Sequence, residues 1–318
     1  MTVAIVGAGA IGGLIGARLA RSGEEVILIA RGANLEALRT RGLTLRSEGE
    51  EFTVRPRATD DVAAVGEADA VFITLKAYGV PPVAPAIGAA LRPGAAVVGA
   101  MNGIPWWYFS DRSLETVDPG GVIARSIPYD QVVGSVVYPA ASLVAPGTVE
   151  HEEGERISLG EPDGTKSERV EKLSRMLARA GFKAPVQSRL RDEIWLKLVG
   201  NTTLNPVSAV TRATMGEMFA SDRSRAMIRT LMEEVVRVAD AYGVKLPVSV
   251  EKRMQGAAAV GGHRTSMLQD LEAGKPLETD ALLGAVIELA GAKDVSVPSL
   301  RALYALTRLA EEVARRPD

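Results

Sequence analysis

The chain has 318 residues, enough for two domains that bury a large core unaided, and 47% hydrophobic with 24% charged residues is the composition of a globular protein. A net charge of −2, from 37 basic and 39 acidic residues, offers no electrostatic footprint for nucleic acid, and charges interrupt every long apolar run, so no membrane span is expected. The absence of cysteine excludes disulfides, thiolate nucleophiles, iron–sulfur clusters and sulfur-ligated zinc, and the two histidines, His151 and His263, have no metal-ligand spacing.

In chain order, Thr2 to Val6 is a continuous apolar strand that runs straight into glycines with no basic leader, so a cytosolic protein is expected. Ile11 to Ser22 reads as a helix closed by Gly23, and Glu25 to Ala30 as a second strand. Leu43 to Arg46 and Glu51 to Arg55 suggest a polar hairpin at the sheet edge. Ala70 to Leu75 and Ala95 to Met101 read as buried parallel strands, followed by shorter alternating ones at Gln131 to Tyr138, Gly147 to His151 and Arg156 to Gly160. Ser167 to Ala180 is an amphipathic helix and Phe182 to Gln187 a closing strand.

From Arg189 the strands vanish and helical periods with Gly or Pro punctuation take over, which puts a domain boundary near Ser188. Helices are expected at Leu190 to Asn205, about Ser221 to Tyr242, Pro247 to Val260, Ser266 to Ala273, Glu278 to Ala292 and Pro298 to Arg316. The fold class is therefore α/β, a parallel-sheet domain over residues 1–188 with an all-α domain over residues 189–318.

Gly7-Ala8-Gly9-Ala10-Ile11-Gly12 lies between the first strand and the first helix. There Gly7 serves a tight turn, Gly9 lets a pyrophosphate approach the backbone, and Gly12 lets helix and sheet pack closely. The glycine spacing alone is a weak signal; its position in a strand–turn–helix unit makes it a dinucleotide site. Where an NAD site carries an acid for the ribose 2′-hydroxyl, the chain has Ala30-Arg31. A solvated turn arginine competes with a 2′-phosphate contact, and the missing acid favours NADPH. Lys76 ends its strand on the same carboxyl edge, as a phosphate or substrate contact or a solvated lysine.

Lys197, Asn201 and Asn205 recur at four-residue steps and share one helix face. Asparagine is a poor helix former, so this stripe suits a ligand better than solvent, and a lysine there could protonate a ketone oxygen as hydride arrives at carbon. Asn102-Gly103 ends another strand at the ligand-binding edge, although a plain turn explains it locally. Ser266 with Gln269 forms a capping-box pattern that can coexist with carboxylate binding, and Glu278 opens the next predicted helix, where the dipole alone would justify an acid.

Together these residues resemble the ketopantoate reductase (2-dehydropantoate 2-reductase) family across nearly the whole chain. The resemblance rests on Gly7-x-Gly9-x-x-Gly12, Arg31, Leu75-Lys76-Ala77, Asn102-Gly103, Glu193-Ile194-Trp195-x-Lys197-Leu198-x-x-Asn201-x-x-x-Asn205-Pro206, Ser266-Met267-Leu268-Gln269-Asp270 and Glu278-x-Asp280. It implies NADPH-dependent reduction of 2-dehydropantoate to pantoate on the route to coenzyme A, by an N-terminal Rossmann-type domain, a helical C-terminal domain and a cleft between them. It further implies Lys197 as general acid, Glu278 as the group that positions substrate and proton, and Ser266 as the contact to the substrate carboxylate. Asn102, Asn201 and Asn205 would hold substrate or the nicotinamide end. The expected partners are a small 2-keto acid and, as a candidate assembly, a second copy of the chain, with no metal.

One departure from the family pattern follows Asn102-Gly103: Ile104-Pro105-Trp106-Trp107-Tyr108-Phe109 and extra turn sequence through Gly120-Gly121. Two of the three tryptophans sit here, either in a locally packed loop or dimer contact, or as an apolar wall for a bulkier 2-keto acid. A dehydrogenase of β-hydroxy acids or opines would share the glycines and a helical lysine but would not need the Ser266-to-Asp270 segment, and a non-catalytic NADP sensor would not need Lys197 and Glu278.

Overall fold

The structure, a computed structural model, describes residues 1–316. The chain forms two compact units: Met1–Met101, Pro105–Ser113 and Asp118–Leu190 in one, and Asn102–Ile104, Leu114–Val117 and the chain from Arg191 onward in the other. Among the described residues no helix is long and apolar enough to cross a membrane.

The first unit runs β1 (Thr2–Val6), α1 (Ala10–Arg21), β2 (Glu25–Ile29), α2 (Gly32–Thr40), β3 (Leu43–Ser47), β4 (Glu50–Val54), β5 (Arg57–Thr59), β6 (Ala70–Ile73), α3 (Ala84–Ala90) and β7 (Ala96–Gly99). It continues through α4 (Val122–Ser126), β8 (Val132–Val137), β9 (Ala140–Ala145), β10 (Thr148–Glu153), β11 (Ile157–Gly160) and α5 (Glu168–Arg179). Seven strands form one sheet in the order β5-β2-β1-β6-β7-β8-β11, parallel except for β11. The chain works outward from β1 to one side and then returns to start the other side at β6. That reversal opens the crevice at the carboxyl ends of β1 and β6 where dinucleotides bind in such sheets. Val3, Ile5, Phe72, Val98 and Val133 are buried and pack with Leu14, Leu173 and Leu177 of the flanking helices into one core.

Several local expectations change. The β3–β4 hairpin leaves the main sheet altogether and joins β10 and β9 in a separate four-stranded sheet that packs on α1. β8 is buried along its whole length, because it is an inner parallel strand and not an alternating surface one. The segment expected to close the sheet at Phe182 to Gln187 makes only two isolated bridges, Arg156 with Lys183 and Leu159 with Val186.

The helical unit contains α6 (Leu190–Thr211), α7 (Met215–Met218), α8 (Asp222–Ala241), α9 (Val250–Ala258), α10 (Ser266–Glu272), α11 (Ala285–Gly291) and α12 (Pro298–Ala314). α6 continues past Asn205 through Pro206, where the expected end lay, at the loss of one backbone donor. Ile228, Leu231, Met232 and Val235 of α8 are buried, and the same helix packs on α9, α11 and α12. The buried Glu234 accepts the backbone N–H groups of Ser299 and Leu300 at 3.1 and 2.9 Å, so a carboxylate satisfies the orphan donors and the dipole that open α12. Glu288 likewise accepts Glu115 N, Thr116 N and the Thr116 hydroxyl at 2.9, 2.9 and 2.6 Å, which ties Leu114–Val117 to the helices.

Candidate active site

In the sheet unit, the turn between β1 and α1 is fixed by sterics. Gly7 has φ of 101°, and a Cβ there would come within 2.7 Å of the Leu75 side chain; a Cβ on Gly12 would overlap the Gly7 carbonyl and the Thr74 hydroxyl. Around Gly9, by contrast, a Cβ would meet nothing within 4 Å, so the outer side of the turn is an open cradle. The first turn of α1 contains no acidic residue, so its N–H groups and positive dipole end remain suited to a diphosphate. The residues present therefore fit a dinucleotide.

Two residues that the sequence did not single out hold this turn. The Thr74 hydroxyl donates to the carbonyls of Gly7 and Val6 at 2.7 and 3.2 Å. Asn34 Nδ2 donates to the Ala8 carbonyl at 2.7 Å while its Oδ1 accepts Gly147 N at 2.8 Å. Thr74 could have been found from its place at the end of β6; nothing local marks Asn34. Arg31 stands exposed just past β2 at the N-cap of α2, and Lys76, half-buried, precedes a short 3₁₀ turn after β6.

In the helical unit, Lys197 is half-buried on α6, one and two turns before Asn201 and Asn205. Its ammonium donates to Asn102 Oδ1 at 2.8 Å. Burial pushes the Lys197 pKa down to about 8; the Glu278 carboxylate pulls it back up, and the positive charge of Arg253 on α9 adds to the depression. Lys197, Asn102, Glu278 and Arg253 thus form one interacting cluster from four separate stretches of chain.

Glu278 is buried directly ahead of a helical segment whose first residues, Asp280–Gly284, wind as a π-turn before α11, where a plain α-helix over Glu278 to Ala292 was expected. The wider winding shifts the backbone hydrogen bonds: the Ala281 carbonyl accepts Ile104 N at 3.3 Å and the Leu282 carbonyl accepts the Thr202 hydroxyl at 3.3 Å. Gly103, at φ of 92°, lies so close to the Ala281 carbonyl that no Cβ would fit. The π-turn is therefore a shared anchor for Glu278, the Asn102 segment and α6.

Ser266 also departs from expectation. Thr265 is the N-cap of α10, accepting Leu268 N at 3.3 Å, so Ser266 is the first helical residue, exposed, with its hydroxyl outside the cap. Gln269 Nε2 donates to the Arg264 carbonyl at 3.1 Å and is not part of a box with Ser266. Capping thus no longer accounts for a serine at this position.

The aromatic segment resolves in favour of packing. Trp106 and Trp107 are 3% and 2% exposed within the sheet unit. Their indoles lie on Gly99 and Gly134, register partners on β7 and β8, where a Cβ would come within 2.6–2.8 Å of the rings. Two glycines on adjacent strands make a flat bed for two indoles. Their burial favours the locally packed loop over an apolar substrate wall.

The sequence matches the family model described as "Ketopantoate reductase PanE/ApbA" over residues 3–164 and that described as "Ketopantoate reductase PanE/ApbA C terminal" over residues 189–311. It is 44% identical to a 2-dehydropantoate 2-reductase of Mesorhizobium japonicum over 316 residues, 97% of each chain. A crystal structure of a PanE/ApbA family ketopantoate reductase from Ralstonia eutropha JMP134 superposes with a TM-score of 0.88 at 32% identity, covering 99% of this chain and 100% of the other. D-mandelate dehydrogenase, solved in a ternary structure with NADH and anilino(oxo)acetate, shares the fold at a TM-score of 0.87 and 22% identity, covering 99% of this chain and 100% of the other. A Rossmann-type sheet unit with an open diphosphate cradle, a lysine–asparagine helix face and these full-length matches agree: the chain belongs to the ketopantoate reductase family, nicotinamide-dependent oxidoreductases that reduce ketopantoate.

Proposed function

We propose that this chain is a cytosolic, NADPH-dependent 2-dehydropantoate 2-reductase. The observation that carries the reading is Lys197, half-buried, hydrogen-bonded to Asn102 at 2.8 Å and with a pKa lowered to about 8. A donor for a ketone must be protonated at neutral pH yet release its proton without a large uphill cost, and a lysine near 8 meets both demands where an ordinary lysine near 10.5 does not.

A nicotinamide dinucleotide, when bound, would be the source of hydride for the keto carbon. As negative charge grows on the oxygen, the Lys197 ammonium delivers a proton to it, giving the 2-hydroxy acid and a neutral amine that solvent reprotonates. Asn102 orients the ammonium before substrate arrives, and Glu278 keeps its charged form favoured. Asn201 and Asn205 offer amide donors and acceptors along the same face of α6, and Ser266 offers a hydroxyl to the substrate carboxylate. In the sheet unit, Gly7, Ala8, Gly9, Ala10, Ile11 and Gly12 hold the diphosphate, Arg31 meets the 2′-phosphate, and Lys76 completes the cofactor contacts of that unit.

A homodimer is the proposed assembly. α12 presents Leu306, Leu309 and Val313, each about half exposed, along one stripe that a second copy would cover, and sedimentation of Leu309→Glu against the parent chain reads that out. The activity is tested by following NADPH oxidation with a panel of 2-keto acids of increasing bulk. Fastest turnover per unit KM with 2-dehydropantoate is expected; a clear preference for a different acid, or for NADH, would overturn the assignment.

A further inference from the structure

The stretch from Leu277 to Asp280 carries Glu278 into the π-turn, and α12 bonds to both of its ends. At the first end the buried Leu277 N–H donates to Glu311 Oε1 at 3.2 Å; at the other the Tyr304 hydroxyl donates to Asp280 Oδ1 at 2.6 Å. Tyr304 and Glu311 stand seven residues apart, two helical turns, and so share one face of α12. Arg308, between them on that face, adds longer contacts to Asp280 Oδ2 at 3.7 Å and Glu311 Oε2 at 3.5 Å, and Arg315 meets Glu311 Oε1 at 3.1 Å. The two arginine side chains are 43% and 44% exposed, so solvent screens them and the two hydrogen bonds carry the hold.

Neither bond is incidental. Leu277 N is a buried backbone donor, which has to be satisfied, and a carboxylate acceptor makes its bond charge-assisted. Burial, and then the Asp280 carboxylate, push the Tyr304 phenol up, so the hydroxyl keeps its proton and donates throughout the range in which Lys197 titrates. Between the two ends Thr279 is fully buried with no hydrogen-bond partner for its hydroxyl, so the stretch holds a conformation that its own side chain does not favour. Support therefore has to come from outside the stretch, and α12 supplies it on both sides of Glu278. The charges that move the Lys197 pKa are those of Glu278 and Arg253; Asp280, Tyr304 and Glu311 are not among them. An effect of α12 on the lysine has to travel through Glu278.

We propose that Tyr304 and Glu311 are positioning residues for Glu278: bonded to Asp280 and to Leu277 on either side of it, they hold its carboxylate where it acts on the Lys197 ammonium. This rests on the reading that Lys197 is the proton donor of a 2-keto acid reductase and that Glu278 tunes it.

The test follows kcat and kcat/KM against pH for reduction of 2-dehydropantoate, with NADPH saturating and melting curves to confirm folding. Tyr304→Phe removes one hydroxyl and no charge. It is expected to lose about 2- to 12-fold in kcat, the equivalent of one hydrogen bond. It should also move the high-pH limb downward by up to about one pH unit, the low end of what an opposite charge close by does to a neighbour. Glu311→Ala should do the same, and Glu311→Gln, which keeps an oxygen for Leu277 N, should restore the limb; if Glu311→Ala does not fold, Tyr304→Phe decides. In a Glu278→Gln background Tyr304→Phe should move the limb no further, because the carboxylate through which it acts is gone. A lower melting temperature in Tyr304→Phe with the limb in place, or a further shift in the double variant, would overturn the positioning role while leaving the reductase assignment standing. A limb that Glu278→Gln alone fails to move would instead overturn the reading of Lys197 and Glu278, and the positioning role with it.

Discussion

The glycine turn of the sheet unit and the lysine cluster of the helical unit are built in opposite ways. The turn is a single stretch, Gly7 to Gly12, whose recognition surface is backbone, with Thr74 and Asn34 bonded to its carbonyls from behind. The cluster is made of side chains from four stretches, around Asn102, Lys197, Arg253 and Glu278, brought together by the helical packing and by the π-turn. A site of backbone groups depends on local conformation and is hard to break with a conservative change elsewhere. A site of converging side chains depends on each of its supports, so its chemistry can be altered from several places.

The largest expected effect tests the cluster at its centre. Lys197→Ala should lower turnover by about two to four orders of magnitude, the size of a general-acid contribution, with NADPH affinity retained, as measured by single-turnover kinetics and by cofactor titration. In the parent enzyme kcat/KM should fall as pH rises through about 8, because the deprotonated lysine has no proton to give. Glu278→Gln should move that limb to lower pH, since the carboxylate is what raises the lysine pKa. An unchanged limb would mean that the titrating group is not Lys197.

Next in size is a change that should leave both sites alone. Trp107 is buried on Gly134, and Trp107→Ala should cost about 3–5 kcal/mol of stability, read from denaturant midpoints, while the ranking of 2-keto acids stays the same. A shifted ranking at preserved stability would return this indole to the substrate site and blur the division between packing and chemistry.

Arg31 tests the backbone site at a proposed charged side-chain contact. Arg31→Ala should weaken NADPH by about one to two orders of magnitude and leave NADH nearly unchanged, measured as the ratio of the two apparent constants. Equal weakening of both would place Arg31 in the structure of the turn and not against the 2′-phosphate.

The contrast also explains what could be read from the sequence. The strand–glycine–helix unit declares itself because 3.6-residue and 2-residue periods and the glycine spacing are all local. The four-residue steps from Lys197 to Asn205 are legible for the same reason. Arg253 and Thr202 carried no local signal, since the first acts on Lys197 from another helix, with its guanidinium against Gly200, and the second bonds a carbonyl of the π-turn. The β3–β4 hairpin was seen but put at the wrong sheet, because hydrophobic alternation fixes a strand and its facing side but not its distant partner, here β10. The capping box at Ser266 failed by one residue: Thr265 and Ser266 are both competent caps, and the choice between them was settled by the backbone.

The smallest and sharpest comparison pairs one support from each site. Asn34→Ala removes the hydrogen bond to the Ala8 carbonyl, and Thr202→Val, nearly isosteric, removes the bond to the Leu282 carbonyl; each bond is worth about 0.5–1.5 kcal/mol, or roughly 2- to 12-fold in an equilibrium constant. If the glycine turn is a backbone site whose geometry matters only for the cofactor, Asn34→Ala should raise the apparent constants for NADPH and NADH together, with kcat and the high-pH limb unmoved. Thr202 bonds to the turn that carries Glu278, and Glu278 tunes the lysine. Thr202→Val should therefore shift the high-pH limb and lower kcat a few-fold while leaving cofactor constants alone, and Thr202→Ser, which keeps the hydroxyl, should restore both. Should Thr202→Val change only the melting temperature, the π-turn would be a packing feature, and the placement of Glu278 would have to be credited to Gly103 and its contact with the Ala281 carbonyl.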